Sequence, residues 1–227
     1  MIVKLRKYTK STAMVQNLKL DQESGRGAIV SESLKKPEIV VFAGPNGSGK
    51  STFTELLKPP MDYINADEIK KNLKCSDMEA AQLAEKQREN HLEKMEEFCF
   101  ETVMSTERNL NLLRRAKAKG YFIRCYYILT SDPAINVYRV KSRFASGGHD
   151  VPEEKIINRY ERALFLVKEL VEICDVCHIY DNSGEIPFRI FKKNKDSSYY
   201  NECDDWLEID IKMLTNVSDS KPGNLNL

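Results

Sequence analysis

The sequence of 227 residues has no long apolar run and almost no net charge. No stretch approaches the ~18 apolar residues of a membrane-spanning helix, and the N-terminal residues do not form the apolar centre of a signal peptide. Lys and Arg number 35 against 34 for Asp and Glu, so there is no overall field to attract nucleic acid or anionic lipid. We therefore expect a cytoplasmic protein without membrane or nucleic-acid partners, in which any anion site is local.

The six cysteines do not form a disulfide framework or an evident zinc site. They are scattered, and without a signal peptide reduced thiols are expected. Only Cys174 and Cys177 have the CxxC spacing of a metal or redox site, and no second CxxC pair accompanies them. The surrounding run ICDVCHIY is typical of a buried strand. We therefore favour packing over a thiol or zinc role for both residues.

Short apolar runs alternate with helical segments along most of the chain. Strands are predicted at 38–43, 97–101, 121–129, 174–180 and 188–192, with helices between them near Lys50 and at about 66–73, 78–95, 106–119, 132–147 and 150–173. In the last helix, Asp150 and Glu153 form a capping-box pattern, and five residues share an inner face: Ile156, Tyr160, Ala163, Val167 and Leu170. The alternation predicts an α/β fold of the P-loop nucleotide-kinase type, a parallel sheet with helices on both faces.

The alternation also suggests how the chain is divided. We assign the kinase-like domain to residues 37–194, an N-terminal extension to 1–36 and a C-terminal extension to 195–227. The final dozen residues, NVSDSKPGNLNL, are polar and are predicted to be disordered.

The strongest motif is GPNGSGKS at 44–51, a GxxxxGK[ST] sequence between an apolar strand and a helix. Glycines let backbone N–H groups surround a polyphosphate, and the helix N-terminus adds its positive end. Lys50 would contact the β- and γ-phosphates, and Ser51 would bind Mg²⁺. The motif predicts an ATP and Mg²⁺ site formed by Gly44, Pro45, Asn46, Gly47, Ser48, Gly49, Lys50, Ser51 and Thr52.

One alternative is an ATPase of the ABC type or the DNA-repair type. GPNGSGKST is typical of ABC ATPases, ASGGH at 145–149 is similar to their signature sequence, and Asp181 ends an apolar run as a Walker B aspartate would. However, Asn182 follows Asp181 where an ABC ATPase has the glutamate that polarises water. The hydrolytic machinery is therefore not evident, and a P-loop protein that only binds a partner remains a third interpretation.

Asp67 is the first candidate for acceptor chemistry. It lies in YINADEIKKNL, 17 residues after Lys50, at the predicted start of a helix. A carboxylate there could accept the proton of a hydroxyl that attacks the γ-phosphate. It could equally be a first-turn acid in a helix capped by Asn65. The local pattern leaves both interpretations open.

The order of motifs resembles the zeta-toxin family of P-loop kinases. The matching pieces are GPNGSGKST at 44–52, INADEI at 64–69, FETVMS at 100–105, the block from 139 to 152 that ends GGHDVP, RYER at 159–162 and YDNS at 180–183. The resemblance implies transfer of the ATP γ-phosphate to a small-molecule hydroxyl, such as that of UDP-N-acetylglucosamine or another nucleotide-containing metabolite. It also implies that an antitoxin protein could be a partner.

The same resemblance suggests roles for five residues. Asp67 resembles the catalytic base, Glu101 and Thr102 the substrate-contacting end of a strand, and Arg143 and Arg159 the arginines that clamp the phosphates. The arginine spacing differs from that of the best-known toxins. Arg143 could instead only interact favourably with the dipole of its helix. Glu101 could simply be exposed to solvent, although the carboxyl end of a strand beside a P-loop is where α/β sheets bind ligands. We predict a Mg²⁺- and ATP-dependent small-molecule kinase.

Overall fold

The computed structural model describes residues 36–147 and 151–223, and these residues form an eight-stranded sheet in the order β2-β3-β1-β4-β5-β6-β7-β8. The strands are β1 Glu38–Ala43, β2 Asp62–Ile64, β3 Phe98–Thr102, β4 Phe122–Leu129, β5 Val176–Asp181, β6 Phe188–Asn194, β7 Ser197–Tyr200 and β8 Lys221–Pro222.

The helices of these residues follow the predicted alternation. They are α1 Lys50–Leu57, α2 Ala66–Leu73, α3 Asp77–Lys94, α4 Glu107–Ala118, α5 Pro133–Ala145, α6 Glu153–Phe165, α7 Val167–Ile173 and α8 Glu208–Thr215. Over the described ranges, no helix is both long enough and apolar enough to cross a bilayer.

Strands β2, β3, β1, β4 and β5 are parallel, and β1 lies between β3 and β4. Both faces of β1 are buried: Val41 belongs to the larger apolar cluster and Phe42 to a smaller one. Helix α1 covers the smaller cluster through Phe53, whereas α3, α4, α7 and α8 contribute to the larger one. Burial on both faces explains why EIVVFA is almost continuously apolar.

The far side of the sheet differs from the parallel arrangement that we predicted. β6 pairs antiparallel with β5, because residues 182–187 are too few for the crossover that parallel strands need. β6 and β7 form a hairpin whose two-residue turn includes Lys195 at φ 51°. Within the final dozen residues, for which we predicted disorder, Lys221–Pro222 instead form β8, which pairs with β7. Residues 224–227 lie outside the described residues.

The helix that we predicted over 150–173 is two helices separated at Leu166. α6 packs against α5, whereas α7 packs against α4 and α8, and the break lets each half follow its own neighbours. The predicted inner face is nevertheless confirmed, since all five of its side chains are buried. The described part of α6 begins at Glu153 with Pro152 as its N-cap. The predicted cap Asp150 lies outside the described residues, as do Gly148 and His149.

Cys174 and Cys177 are buried in the larger apolar cluster together with Cys125. Within residues 36–147 and 151–223, no three or more His, Cys, Asp or Glu side chains are grouped so that they could hold a metal ion. Burial raises the pKa of the Cys174 thiol well above its ordinary value. The burial of both thiols agrees with the packing interpretation of the CxxC pair.

Candidate active site

The loop between β1 and α1 has the backbone of a phosphate cradle. Gly44 and Gly47 have φ values of 140° and 79°, which side-chain-bearing residues rarely adopt. A Cβ atom on Gly44 would lie 1.9 Å from the carbonyl oxygen of Ile128, and one on Gly47 would lie 2.6 Å from that of Asn136. The neighbouring backbone therefore packs so closely that only glycine fits, and the loop leads directly into the N-terminus of α1 at Lys50.

Two asparagine side chains hold this loop in place. Asn136 Nδ2, from α5, donates to the carbonyl oxygen of Asn46 at 2.6 Å. Asn182 Nδ2, directly after β5, donates to that of Ser48 at 2.7 Å. Neither contact was predicted from the sequence. The one local signal in the sequence is Asn136 itself, a polar residue in the otherwise apolar inner stripe of α5, and the structure shows that it is buried.

Lys50 lies at the centre of the predicted charges. Its Nζ donates to the carbonyl oxygen of Pro45 at 2.8 Å. The pKa of Lys50 is lowered to about 8, mainly by burial and also by Arg143 and Arg159, whereas Glu101 and Asp67 act in the opposite direction. The structure therefore places all four predicted charged side chains within electrostatic range of the P-loop lysine.

A cavity of about 480 Å³ opens beside this loop. Its lining includes ten of the predicted site residues: Asn46, Gly47, Gly49, Lys50, Ser51, Thr52, Asp67, Glu101, Thr102 and Arg143. Asn65 and Arg139 also line it, although neither was predicted as a site residue. The cavity brings the loop together with the ends of β3 and α5 and the start of α2.

On the wall opposite the loop, the predicted N-cap at Asn65 is confirmed. Its Oδ1 accepts a hydrogen bond from the backbone N–H of Asp67 at 2.8 Å, and α2 begins at Ala66. The Asp67 side chain is exposed and lines the cavity. The geometry therefore agrees with both interpretations of Asp67, as a first-turn acid and as a group that faces a bound acceptor.

The carboxyl end of β3 carries Glu101 and Thr102. Ser51 Oγ donates to Glu101 Oε2 at 3.2 Å, and the Tyr63 hydroxyl donates to Oε1 at 2.7 Å. Thr102 Oγ1 accepts hydrogen bonds from the Met104 N–H at 3.0 Å and from Asn109 Nδ2 at 2.8 Å. Both oxygens of Glu101 therefore accept hydrogen bonds from side chains of the protein.

The arginines approach the cavity from two helices. Arg143, in the last turn of α5, is exposed and lines the cavity. Arg159, on α6, donates to Asn46 Oδ1 at 3.4 Å and so reaches the phosphate loop. Arg139 lines the cavity too and donates to the carbonyl oxygen of Ser183 at 3.3 Å. Three guanidinium groups thus flank the loop.

Asp181, the candidate Walker B residue, is a buried structural carboxylate. Oδ1 accepts a hydrogen bond from the Ser183 N–H at 2.9 Å, and Oδ2 accepts one from Ser183 Oγ at 2.8 Å and one from Trp206 Nε1 at 3.0 Å. The geometry does not support a metal-binding role for Asp181.

Comparisons with known proteins agree with this architecture. A family model described as Zeta toxin matches residues 22–196, more than half of the chain. A Haemophilus influenzae protein described as uncharacterized is 28% identical over 129 residues, covering 54% of this chain and 92% of that protein.

Two solved structures have a similar fold. One belongs to the PezAT chromosomal toxin-antitoxin system of Streptococcus pneumoniae, with a TM-score of 0.52, 17% identity and coverage of 89% of this chain and 90% of that chain. The other is the AvrRxo1-ORF1:AvrRxo1-ORF2 complex with ATP, with a TM-score of 0.60, 14% identity and coverage of 98% and 74%. The predicted fold class, a mostly parallel sheet of the P-loop kinase type, is confirmed.

Proposed function

The chain belongs to the zeta toxin family, and on that premise we propose that it is a kinase that transfers the γ-phosphate of ATP to a hydroxyl of a small molecule. The observation that carries the proposal is that the P-loop side chains of Lys50 and Ser51 and the carboxylate of Asp67 line the same cavity. A phosphate donor and a hydroxyl acceptor can meet there with a base beside the acceptor.

The donor half of the site fits Mg²⁺–ATP. Loop N–H groups and the positive end of α1 would bind the polyphosphate, and Lys50 would contact its β- and γ-phosphates. Ser51 Oγ donates a hydrogen bond to Glu101, so its lone pairs are free for a hard cation that prefers oxygen ligands. Mg²⁺ bound there would neutralise charge on the β- and γ-phosphates.

The arginines would act on the phosphoryl group in transfer. Arg143 and Arg159 come from different helices, and planar guanidinium groups match phosphate oxygens in two-point contacts.

The acceptor half of the site contains Asp67, Glu101 and Thr102. Asp67 would accept the proton of the attacking hydroxyl, while Glu101 and Thr102 would line the acceptor's position at the end of β3. We propose a small hydroxyl compound as the acceptor, with UDP-N-acetylglucosamine and other nucleotide-containing metabolites as first candidates. An antitoxin protein is the proposed macromolecular partner, because the PezAT relative belongs to a toxin-antitoxin system.

A mass-spectrometric screen tests the acceptor. The protein would be incubated with ATP, Mg²⁺ and pooled nucleotide sugars and other metabolites, and each pool examined for an ATP-dependent gain of one phosphate. We expect one hydroxyl compound to gain it. ATP turnover that never yields a phosphorylated metabolite, but that DNA stimulates, would instead support a DNA-repair-type ATPase.

Asp67→Asn tests the proposed base. Loss of a general base costs on the order of 10²- to 10⁴-fold in rate, whereas loss of a helix-end charge costs roughly 0.3 to 1 kcal/mol of stability. We therefore expect phosphoryl transfer to be largely lost while nucleotide affinity and folding are retained. Glu68→Gln, which removes a charge from the same first turn, is the matched control. An Asp67→Asn protein that keeps more than about a tenth of the parental rate would make Asp67 an ordinary first-turn acid.

A further inference from the structure

One chain of hydrogen bonds connects the acceptor side of the cavity to the P-loop. The Asp67 N–H donates to Asn65 Oδ1 at 2.8 Å, and Asn65 Nδ2 donates to the Tyr63 hydroxyl at 2.5 Å. Tyr63 donates to Glu101 Oε1 at 2.7 Å, and Ser51 Oγ donates to Glu101 Oε2 at 3.2 Å. The chain therefore begins at the backbone of the proposed base and ends at the proposed metal ligand.

The direction of each bond follows from the chemistry of the groups. An ionised carboxylate only accepts hydrogen bonds, so both Tyr63 and Ser51 must donate to Glu101. A serine oxygen that binds Mg²⁺ has to point its proton away from the metal, and Glu101 Oε2 is the acceptor for that proton. The Asn65 amide satisfies both of its contacts in one orientation, with Oδ1 toward Asp67 and Nδ2 toward Tyr63.

Tyr63 occupies the middle of this chain on edge strand β2. Its side chain is half-buried, and Lys58 Nζ lies 4.5 Å from the centre of its ring. Burial is the main reason why the pKa of Tyr63 lies well above its ordinary value, so the hydroxyl keeps the proton that it donates. The hydroxyl accepts from Asn65 and donates to Glu101, and these two bonds fix its position between the two halves of the site.

We propose that Tyr63 is a positioning residue of the kinase site: through Glu101 it holds Ser51 in the orientation that binds Mg²⁺, and through Asn65 it ties that orientation to the turn that carries Asp67. The proposal rests on the proposed function. Tyr63 does not touch the reacting atoms and acts through the carboxylate of Glu101.

The consequence is that metal affinity depends on a residue outside the P-loop. Without the Tyr63 hydroxyl, Glu101 Oε1 loses a donor and the carboxylate is free to rotate away from Ser51. Partners outside the direct metal ligands typically change metal affinity roughly 10- to 100-fold when they are removed. Since Tyr63 is one step further from the metal than Glu101, we expect an effect of roughly ten-fold, at the lower end of that range.

The test is the Mg²⁺ dependence of nucleotide binding in Tyr63→Phe. Affinity for a non-hydrolysable ATP analogue would be measured by calorimetry in Mg²⁺ and in EDTA, and Mn²⁺ affinity of the nucleotide complex by electron paramagnetic resonance. We expect the increase in nucleotide affinity that Mg²⁺ causes to be roughly ten-fold smaller in Tyr63→Phe than in the parental protein. The Mn²⁺ affinity of the nucleotide complex should fall in parallel. Affinity in EDTA should stay at the parental value.

A double-mutant cycle separates positioning from a general structural role. If Tyr63 acts through Glu101, Tyr63→Phe combined with Glu101→Gln should lose no more of the metal-dependent gain than Glu101→Gln alone. Asn65→Asp, which keeps the cap oxygen but loses the amide donor, should reduce the gain in the same direction. Tyr121→Phe is the matched control, because its hydroxyl donates to the carbonyl oxygens of His91 and Glu96 at 3.0 and 3.1 Å, away from the cavity.

Three outcomes would overturn the proposal. A folded Tyr63→Phe protein with the parental Mg²⁺-dependent gain would show that the hydroxyl does not position the metal ligand. Additive losses in the double mutant would show that Tyr63 does not act through Glu101. A parental protein whose nucleotide affinity does not rise with Mg²⁺ would overturn this proposal together with the proposed function. Failure of the acceptor screen would count only against the proposed function, because the Mg²⁺-dependence experiments on Tyr63 do not measure phosphoryl transfer.

Discussion

The lowered pKa of Lys50 should make nucleotide binding depend on pH above neutrality. In the free protein, burial brings this pKa to about 8. A bound polyphosphate favours the charged lysine, so the pKa in the complex must be higher than in the free protein. Nucleotide binding near pH 8 should therefore take up a proton. Nucleotide affinity should be constant at pH values below the pKa of Lys50 in the free protein. It should fall as the pH rises through that pKa, and it should level off above the pKa of Lys50 in the complex.

The size of the effect follows from the protonated fraction. If the nucleotide binds only protein with a charged Lys50, roughly one molecule in ten can bind at one pH unit above the free-protein pKa. The affinity there falls about ten-fold, which is equivalent to about 1.4 kcal/mol. One unit below that pKa, about nine molecules in ten are charged. The window from about pH 7.5 to 9.5 lies above the second pKa of a phosphate group, about 6, so the ligand's own charge changes little.

Calorimetric titration of a non-hydrolysable ATP analogue across that window is the assay. Repeating it near pH 8 in two buffers of different ionisation enthalpy gives the number of protons taken up. Lys50→Arg is the control, because a guanidinium group stays charged throughout the window and its affinity profile should be flat. A parental affinity that is constant from pH 7.5 to 9.5 with no proton uptake, or an equal decline in Lys50→Arg, would refute the electrostatic reasoning.

Two further predictions concern side chains around the loop. Arg143→Ala and Arg159→Ala should each slow phosphoryl transfer more than they weaken ATP binding, since the arginines engage the phosphoryl group fully only in the transition state. Lys141→Ala on the same helix as Arg143 should change neither, and variants that only raise the ATP requirement would make the arginines ground-state ligands. Asn182→Ala should weaken nucleotide affinity roughly five-fold, because the amide hydrogen bond to the Ser48 carbonyl contributes about 1 kcal/mol to holding the loop. Unchanged affinity would mean that the loop keeps its shape without that bond.

Local patterns in the sequence predicted the parts of the fold that depend on near neighbours. The P-loop depends on glycine and lysine at fixed spacing, and the parallel strands depend on short apolar runs buried on both faces. Even the buried stripe from Ile156 to Leu170 was correct across a break in the helix. The break itself was missed, because it depends on which helices each half packs against.

The contacts that complete the candidate site join distant parts of the chain. Tyr63 and Glu101 are 38 residues apart, Asn46 and Asn136 are 90 apart, and Ser48 and Asn182 are 134 apart. Asn182 looks like any turn residue in the sequence, and Asn136 differs from other helix residues only by its place in an apolar stripe. The pairing of β6 and the burial of Asp181 against Trp206 depend in the same way on tertiary packing.

Trp206 is the only tryptophan in the chain, and its position makes it an intrinsic optical probe. Its buried indole donates to Asp181, whose other hydrogen bonds fix Ser183, next to the asparagine that holds the P-loop. Fluorescence excited selectively at tryptophan, without the contribution of the ten tyrosines, therefore originates from one site, which Asp181 and its sequence neighbour Asn182 connect to the nucleotide loop. A shift in its emission on addition of nucleotide would follow the movement of that loop in real time, without a dye and without any knowledge of the acceptor.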